Sequence, residues 1–81
     1  MTDPDILAGV RAALGDVAPD LDVDSIDAGT DLRNDLDIDS MDFLNFVIAV
    51  SQKFGVEIPE ADYGRITSLA ACADYVSEHR G

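Results

Sequence analysis

Ser40 is the residue of this sequence best placed for chemistry, because it lies where an acidic stretch gives way to an apolar one. Asp39 precedes it with the residue type of a helix N-cap, and Asp42 follows three residues after Asp39, as the acid of a capping box does. Ser40 would then hold the first helical position. A phosphate on its hydroxyl would meet free backbone N–H groups and the positive end of the helix dipole. The pattern favours covalent modification of Ser40.

The same serine is a poor candidate for a catalytic nucleophile. A nucleophilic serine needs a neighbouring base, and the only histidine, His79, comes at the end of the last predicted helix. We therefore expect no catalytic residue at this position.

A second acidic pattern resembles the start of a calcium-binding EF-hand loop. Asp20, Asp22, Asp24 and Asp31 have the spacing of its first, third, fifth and twelfth positions. Its sixth position is Ser25 where a glycine is needed, and its twelfth lacks the longer bidentate glutamate. The sequence therefore predicts no specific metal site, and a calcium sensor remains a remote alternative.

The apolar pattern predicts an all-α fold, an antiparallel bundle of three main helices plus one short helix. Asp3 or Thr2 caps the first helix, and Gly55 ends the second. No alternating pattern indicates a strand. The predicted helices cover residues 4–17, 39–54, 60–65 and, after a cap at Thr67 or Ser68, a last stretch that ends at His79, Arg80 and Gly81.

The second predicted helix has more apolar residues than one core face needs. A regular stripe at helical spacing is expected to face the core, and it comprises Leu44, Val47, Val50 and Phe54. Met41, Phe43 and Ile48 widen the apolar arc beyond that stripe. Either a second neighbour covers them or part of this surface is kept for a partner.

Residues 16–42, the acidic segment, contain ten Asp and a single base, Arg33. Neither helical nor strand periodicity is sustained, so we expect a long acidic loop between the first and second helices. Four apolar residues are available to anchor it over the core: Leu21, Val23, Ile26 and Leu32.

Composition limits what the chain binds. Its 81 residues hold 17 acids and 5 bases, for a net charge of −12, and 47% are hydrophobic, which describes one small domain over residues 1–81. The five bases are scattered, so nucleic acids and anionic membranes are excluded as partners. Basic protein surfaces are the expected partners. A lone cysteine, Cys72, an acidic N-terminus and the lack of a bilayer-length apolar run predict a cytoplasmic protein without a membrane span.

The order of several short motifs resembles that of the acyl carrier protein family over nearly the whole chain. Asp39–Met41 follows an acidic loop and opens a hydrophobic helix that ends at Phe54. The sequence Val-Glu-Ile-Pro follows at 56–59, and Ile-Thr-Ser-Leu at 66–69 leads to Asp-Tyr-Val at 74–76. The tripeptide alone is a weak signal, whereas all these motifs in order are fairly specific.

The resemblance implies a freestanding, monomeric carrier. Ser40 would carry a 4′-phosphopantetheine arm, added from coenzyme A by a phosphopantetheinyl transferase, and acyl groups would ride on its thiol as thioesters. Asp39 would position the site for that enzyme, whose basic surface would also contact Asp35, Asp37 and Asp42. Acyl-loading and acyl-transferring enzymes would use basic docking surfaces too. By the same resemblance an acyl chain would contact Ile58, Ile66, Cys72 and Tyr75.

The exposed face of the second helix departs from that of carriers in fatty acid synthesis, which is strongly acidic. The matching positions here are Asn45, Ser51, Gln52 and Lys53. We therefore expect dedicated partners in a specialised lipid or secondary-metabolite pathway, which recognise Met41, Phe43, Asn45 and Ile48 by shape more than by charge. Two alternatives stay open: an aminoacyl or peptidyl carrier, and an acidic helical interaction module without a cofactor.

Overall fold

The structure, a computed structural model, describes residues 3–79. This part of the chain contains helices and no strand, in the order α1 (Pro4–Val17), the 23–25 turn (Val23–Ser25), α2 (Ser40–Phe54), the 60–65 helix (Glu60–Arg65) and α3 (Leu69–His79). The 23–25 turn and the 60–65 helix are 3₁₀ helices. The predicted all-α bundle of three main helices and a short one is confirmed. The alternative cap Thr2 and the predicted last residues Arg80 and Gly81 lie outside the described residues.

The ends of α1 and α2 lie where their capping residues predict them. Asp3 Oδ1 accepts the N–H of Asp5 at 2.9 Å, and Asp39 Oδ1 accepts the N–H of Asp42 at 2.8 Å. Gly55 follows α2 with φ 65°, a left-handed conformation that closes a helix and suits glycine. Local sequence therefore fixes where these two helices begin and where α2 ends.

The buried face of α2 agrees only in part with the one that its stripe predicts. Its buried residues are Phe43, Phe46, Val47 and Val50. Leu44, assigned to the core from the sequence, is 36% exposed. Phe43, assigned to partner recognition, is only 6% exposed, so that assignment is wrong. The reason is the 60–65 helix, whose Tyr63 ring lies 6.4 Å from the Phe43 ring and covers this side of α2.

The core lies where α1 packs against both α2 and α3. α3 begins after Ser68, whose Oγ accepts the N–H of Ala71 at 3.1 Å, and this selects Ser68 over Thr67 as the cap. The buried face of α3 comprises Leu69, Cys72, Ala73, Tyr75 and Val76. None of the helices in residues 3–79 combines the length and the apolar character that crossing a bilayer requires.

The acidic segment is tied to the start of α3 by backbone hydrogen bonds. Leu32 is fully buried, and its N–H donates to the carbonyl oxygen of Thr67 at 2.9 Å. The N–H of Ala70 donates to the carbonyl oxygen of Ala28, also at 2.9 Å. The segment that leads to α2 is thus held in place at two points.

A third tie runs from the acidic segment to α1. The Arg11 guanidinium donates to the carbonyl oxygens of Val23 and Ile26, and the side chains of both residues are half-buried against the core. The predicted anchoring of the segment by Val23, Ile26 and Leu32 is confirmed, while Leu21 is half-buried and does not join the core.

Candidate functional site

Ser40 is the first residue of α2, and its side chain is exposed. Asp39 fixes the start of the helix, because its carboxylate accepts the Asp42 N–H and its carbonyl oxygen accepts the Phe43 N–H at 2.9 Å. The N–H groups of Ser40 and Met41 precede the first intrahelical donor, so they are available to an acceptor outside the helix. An anion on the Ser40 hydroxyl would therefore be stabilised by these N–H groups and by the helix dipole.

Ser40 lies on the wall of an open cavity of about 850 Å³ between the acidic segment, the start of α2 and the 60–65 helix. Part of the wall is apolar and aromatic, formed by Ile38, Phe43, Leu44, Tyr63 and Ile66. Phe43 and Ile66 also belong to the core. The cavity therefore joins the serine to the edge of the hydrophobic core.

The rest of the cavity wall is charged. Its acids are Asp31, Asp37, Asp39 and Glu60, and Arg33 is the only base among the described residues that line it. Asp31 accepts the backbone N–H groups of Asn34 and Arg33, each at 2.9 Å, and these bonds hold the pKa of the Asp31 carboxyl below its usual range. The site thus combines an exposed hydroxyl, an acidic rim and a single guanidinium.

Asp37 adopts φ 55°, in the left-handed region that favours glycine. Aspartate is one of the few other residues that tolerate this conformation. The turn it makes precedes Asp39 by two residues and brings the chain into α2.

The remaining residues predicted to meet partners lie on the surface. Met41 and Ile48 are 66% and 43% exposed, and Leu44 lies between them at helical spacing. We call these three residues the α2 ridge. Asp35, Asp37 and Asn45 are exposed, and Asp42 is half-buried. The apolar stripe assigned Leu44 to the core and not to this surface. Its spacing of three residues from Met41 and four from Ile48 nevertheless places it on their face of α2.

The four residues predicted to contact an acyl chain are all buried: Ile58, Ile66, Cys72 and Tyr75. Of these, Ile66 lines the cavity. Burial raises the pKa of the Cys72 thiol to about 12, so this thiol stays protonated near neutral pH. The Tyr75 hydroxyl donates to Asp62 Oδ2 at 2.6 Å, and this bond to a carboxylate raises the pKa of Tyr75 to about 12.

Two acids of the EF-hand-like pattern, Asp22 and Asp31, serve local turns. Asp22 Oδ2 accepts the Ser25 hydroxyl at 2.7 Å, and Asp31 accepts the two N–H groups described above. Residues 3–79 bring no three His, Cys, Asp or Glu side chains together in a way that could hold a metal ion.

Comparison with known proteins agrees with this geometry. The family described as "Phosphopantetheine attachment site" matches residues 8–76. The chain is 31% identical over 81 residues to the acyl carrier protein of Lactobacillus acidophilus, with 100% of each chain covered. A phosphopantetheine carrier is thus the class of protein that the matched family and the helical fold define. The chain belongs to the acyl carrier protein family, whose members are carriers and not enzymes.

Solved structures have the same fold. A chain described as an acyl carrier protein from Anaplasma phagocytophilum superposes with a TM-score of 0.83 at 22% identity, covering 96% of this chain and 92% of that one. The acyl carrier protein of Enterococcus faecalis gives a TM-score of 0.77 at 26% identity, covering 98% of this chain and 99% of that one.

The cofactor of this family is 4′-phosphopantetheine, and the residues at the start of α2 are suited to it. The exposed hydroxyl of Ser40 would provide a point of attachment, and the neighbouring N–H groups of the first turn of α2 would suit a phosphodiester. The cavity beside Ser40 has an apolar wall against which an arm and its load could lie.

Proposed function

We propose that this carrier holds acyl groups as thioesters on a 4′-phosphopantetheine arm joined to Ser40 through a phosphodiester, in a specialised lipid or secondary-metabolite pathway. The observation that carries the proposal is the exposed Ser40 at the first position of α2, inside the matched residues 8–76. A phosphopantetheinyl transferase adds the arm from coenzyme A, and acyl-loading and acyl-transferring enzymes then act on its load.

The chain's own residues hold and present the arm. Asp39 sets the start of α2 and so the direction in which Ser40 leaves the helix. When bound, the arm supplies the thiol that forms the thioester. Cys72 supplies no second thiol for acyl transfer, since it is buried and its pKa is raised to about 12.

Docking of partner enzymes uses the surface that surrounds Ser40. Asp35, Asp37 and Asp42 attract basic surfaces, and the α2 ridge and Asn45 supply shape and apolar contact. Further along α2, Gln52 and Lys53 are exposed and neither is an acid, whereas Ser51 is half-buried and its Oγ donates to the Val56 carbonyl oxygen at 2.6 Å. Partners that recognise shape over charge suit a dedicated pathway, which supports the pathway part of the proposal.

An acyl chain on the arm has one apolar route from Ser40 into the fold, along the cavity wall past Phe43 and Ile66. Ile58, Cys72 and Tyr75 lie deeper in the core, so a chain reaches them only if the helices separate. We therefore assign Ile66 the first contact, and the other three contacts to longer chains.

Intact-mass measurement tests the attachment. The purified chain is incubated with coenzyme A and a promiscuous phosphopantetheinyl transferase, alongside Ser40→Ala and a control, Ser77→Ala, that removes another exposed serine hydroxyl. We expect the parent and the Ser77→Ala variant to gain one phosphopantetheinyl group and Ser40→Ala to gain none. A folded parent that gains no mass, or a Ser40→Ala variant that gains it, would refute the proposal.

A further inference from the structure

Arg33 is a positive charge in an otherwise acidic place. It is the only base of the acidic segment, and it lines the same cavity as Ser40. The rim of that cavity carries Asp31, Asp37, Asp39 and Glu60. The sequence predicts no role for Arg33, because nothing local in the chain places it near Ser40.

The position of the Arg33 guanidinium is set by an aromatic ring. Its Cζ lies 5.6 Å from the centroid of the Phe43 ring, within the range of a cation–π contact. The Phe43 ring is itself fixed, since it is buried and packs against Phe46 at 6.5 Å and Tyr63 at 6.4 Å between centroids. Arg33 therefore rests on a rigid part of the core at the edge of the cavity.

Within residues 3–79 the Arg33 guanidinium forms no ion pair, although its positive charge contributes to the lowered pKa of the Asp31 carboxyl. In residues 3–79 the ion pair within 4.0 Å is Arg65 with Glu78, and no carboxylate approaches Arg33 that closely. A contact with an aromatic ring uses none of the five N–H donors of a guanidinium as a hydrogen bond to oxygen, so these donors stay available to an anion. In a chain with a net charge of −12, such a guanidinium is available to an anion that the protein does not itself supply.

We infer that Arg33 binds an anionic group carried by the arm, either the phosphodiester at Ser40 or a carboxylate at the free end of the acyl group. This inference rests on the proposed attachment at Ser40. A guanidinium binds phosphate and carboxylate oxygens alike through paired N–H donors. Of the two anions, the phosphodiester is confined more closely to the cavity, because it is bonded directly to Ser40, which lines the same cavity as Arg33.

Electrostatics explains what Arg33 contributes. A phosphodiester on Ser40 adds one negative charge to a cavity wall that already carries four acids, and like charges repel each other. The amide N–H groups of α2 offset part of this repulsion. Arg33 offsets a further part, as the one cation among the described residues of the cavity wall. Modification of Ser40 should therefore destabilise the fold more when Arg33 is replaced by a neutral residue.

The experiment compares apo and modified forms of the parent, Arg33→Gln and Arg33→Lys. Glutamine keeps a side chain over Phe43 but removes the charge, whereas lysine keeps the charge. Lys53→Gln is the matched control, because Lys53 is an exposed base in the last turn of α2 that does not line the cavity. Intact mass verifies each modification, and the modified forms are also loaded with acyl groups of equal length that end in a methyl or in a carboxylate.

Two readouts follow the anion, the NMR signal of the Arg33 Nε–Hε group and the melting temperature. We expect the signal to shift when an anion binds. We expect modification to lower the melting temperature of Arg33→Gln by about 1–5 °C more than that of the parent, the size of an exposed ion pair in a domain of this length. Arg33→Lys keeps the charge and should lose less than Arg33→Gln, Lys53→Gln should behave like the parent, and salt at about 1 M should remove the difference.

The outcomes separate the two anions. A shift on addition of the arm assigns Arg33 to the phosphodiester, and a shift only with the carboxylate-ended acyl group assigns it to the load. Equal behaviour of the parent and Arg33→Gln in every form overturns this inference and leaves the proposed function standing. A parent that gains no mass overturns both.

Discussion

Asp39 connects the proposed attachment serine to the geometry of α2. Its carboxylate accepts the Asp42 N–H at 2.8 Å, and its backbone oxygen accepts the Phe43 N–H at 2.9 Å. An N-cap of this type contributes about 1 kcal/mol to stability. Asp39 also places a charge beside Ser40, so its effect on stability and its effect on modification are separable by substitution.

We expect Asp39→Ala to lower the melting temperature by about 4–8 °C, the shift that corresponds to about 1 kcal/mol in a domain of this length. Asp39→Asn should lose much less, because an amide oxygen also caps a helix. Thermal unfolding followed by circular dichroism measures both. Asp20→Ala removes an exposed carboxylate from the same segment and should leave the melting temperature nearly unchanged. Equal losses from alanine and asparagine would rule out the capping role.

Residue roles that depend on neighbours in sequence were predictable, and those that depend on the fold were not. The capping role of Asp39 and the exposure of Ser40 follow from three or four adjacent residues. Phe43 and Leu44 were exchanged between surface and core, because the covering Tyr63 comes from an element whose position the periodicity of α2 does not encode. Arg33 was missed for the same reason, since its contact with Phe43 is tertiary.

At the scale of elements, the 60–65 helix forms one wall of the cavity and is fastened to α3 by side chains. Tyr75 of α3 donates its hydroxyl hydrogen bond to Asp62 at 2.6 Å. Arg65 pairs with Glu78 at 2.9 Å and lies over the Tyr75 ring, with its Cζ 5.1 Å from the centroid. The His79 ring also stacks on the Tyr75 ring, with 4.0 Å between the ring centroids. Tyr75 is therefore the central residue in the contacts that hold the 60–65 helix against α3.

We expect Tyr75→Phe to loosen the 60–65 helix, since it removes the hydrogen bond to Asp62 and keeps the ring contacts. A loss of about 1 kcal/mol corresponds to about fivefold faster amide exchange where opening is local. Hydrogen exchange of the Ile66 N–H, which donates to the Tyr63 carbonyl oxygen at 3.1 Å, measures this opening. Tyr63→Phe is the control, because it removes a hydroxyl from the 60–65 helix itself and leaves the Tyr75–Asp62 hydrogen bond in place. Unchanged exchange at Ile66 would contradict the role given to Tyr75.

Element boundaries were largely predictable, because caps are local. The ranges 4–17 and 60–65 agree with the structure, and α2 ends before Gly55 as expected. The 23–25 turn was missed. The carbonyl oxygen of Val23, the first residue of this turn, accepts a hydrogen bond from the Arg11 side chain of α1. No pattern within the acidic segment indicates a hydrogen bond to a side chain twelve residues earlier.

At the scale of the whole molecule, most of the net charge of −12 comes from the acidic segment, residues 16–42. Ten Asp residues fall in the acidic segment, and every one of them is exposed or half-buried. Like charges on a surface repel each other, so the fold carries a cost that solution ions relieve. This cost follows from composition alone and needed no structure to be foreseen.

We expect magnesium, added from a few tenths of a millimolar to tens of millimolar, to raise the melting temperature by about 4–8 °C. Several like-charge contacts at a few tenths of a kcal/mol each amount to about 1 kcal/mol, which gives a shift of that size. Sodium chloride at equal ionic strength separates general screening from weak binding of the divalent ion. A melting temperature that stays constant across both series would contradict the presence of this repulsion.

The two ties between the acidic segment and α3 use only main-chain atoms, those of Leu32 with Thr67 and of Ala28 with Ala70. Such ties do not depend on which side chains the intervening exposed positions carry. Exposed charges of this loop whose side chains hold no turn in place, for example Asp24 and Asp27, are therefore free to change while its path over the core is kept. For a carrier, this means that preference among partner surfaces can change through these exposed positions, by evolution or by engineering, without a change of fold.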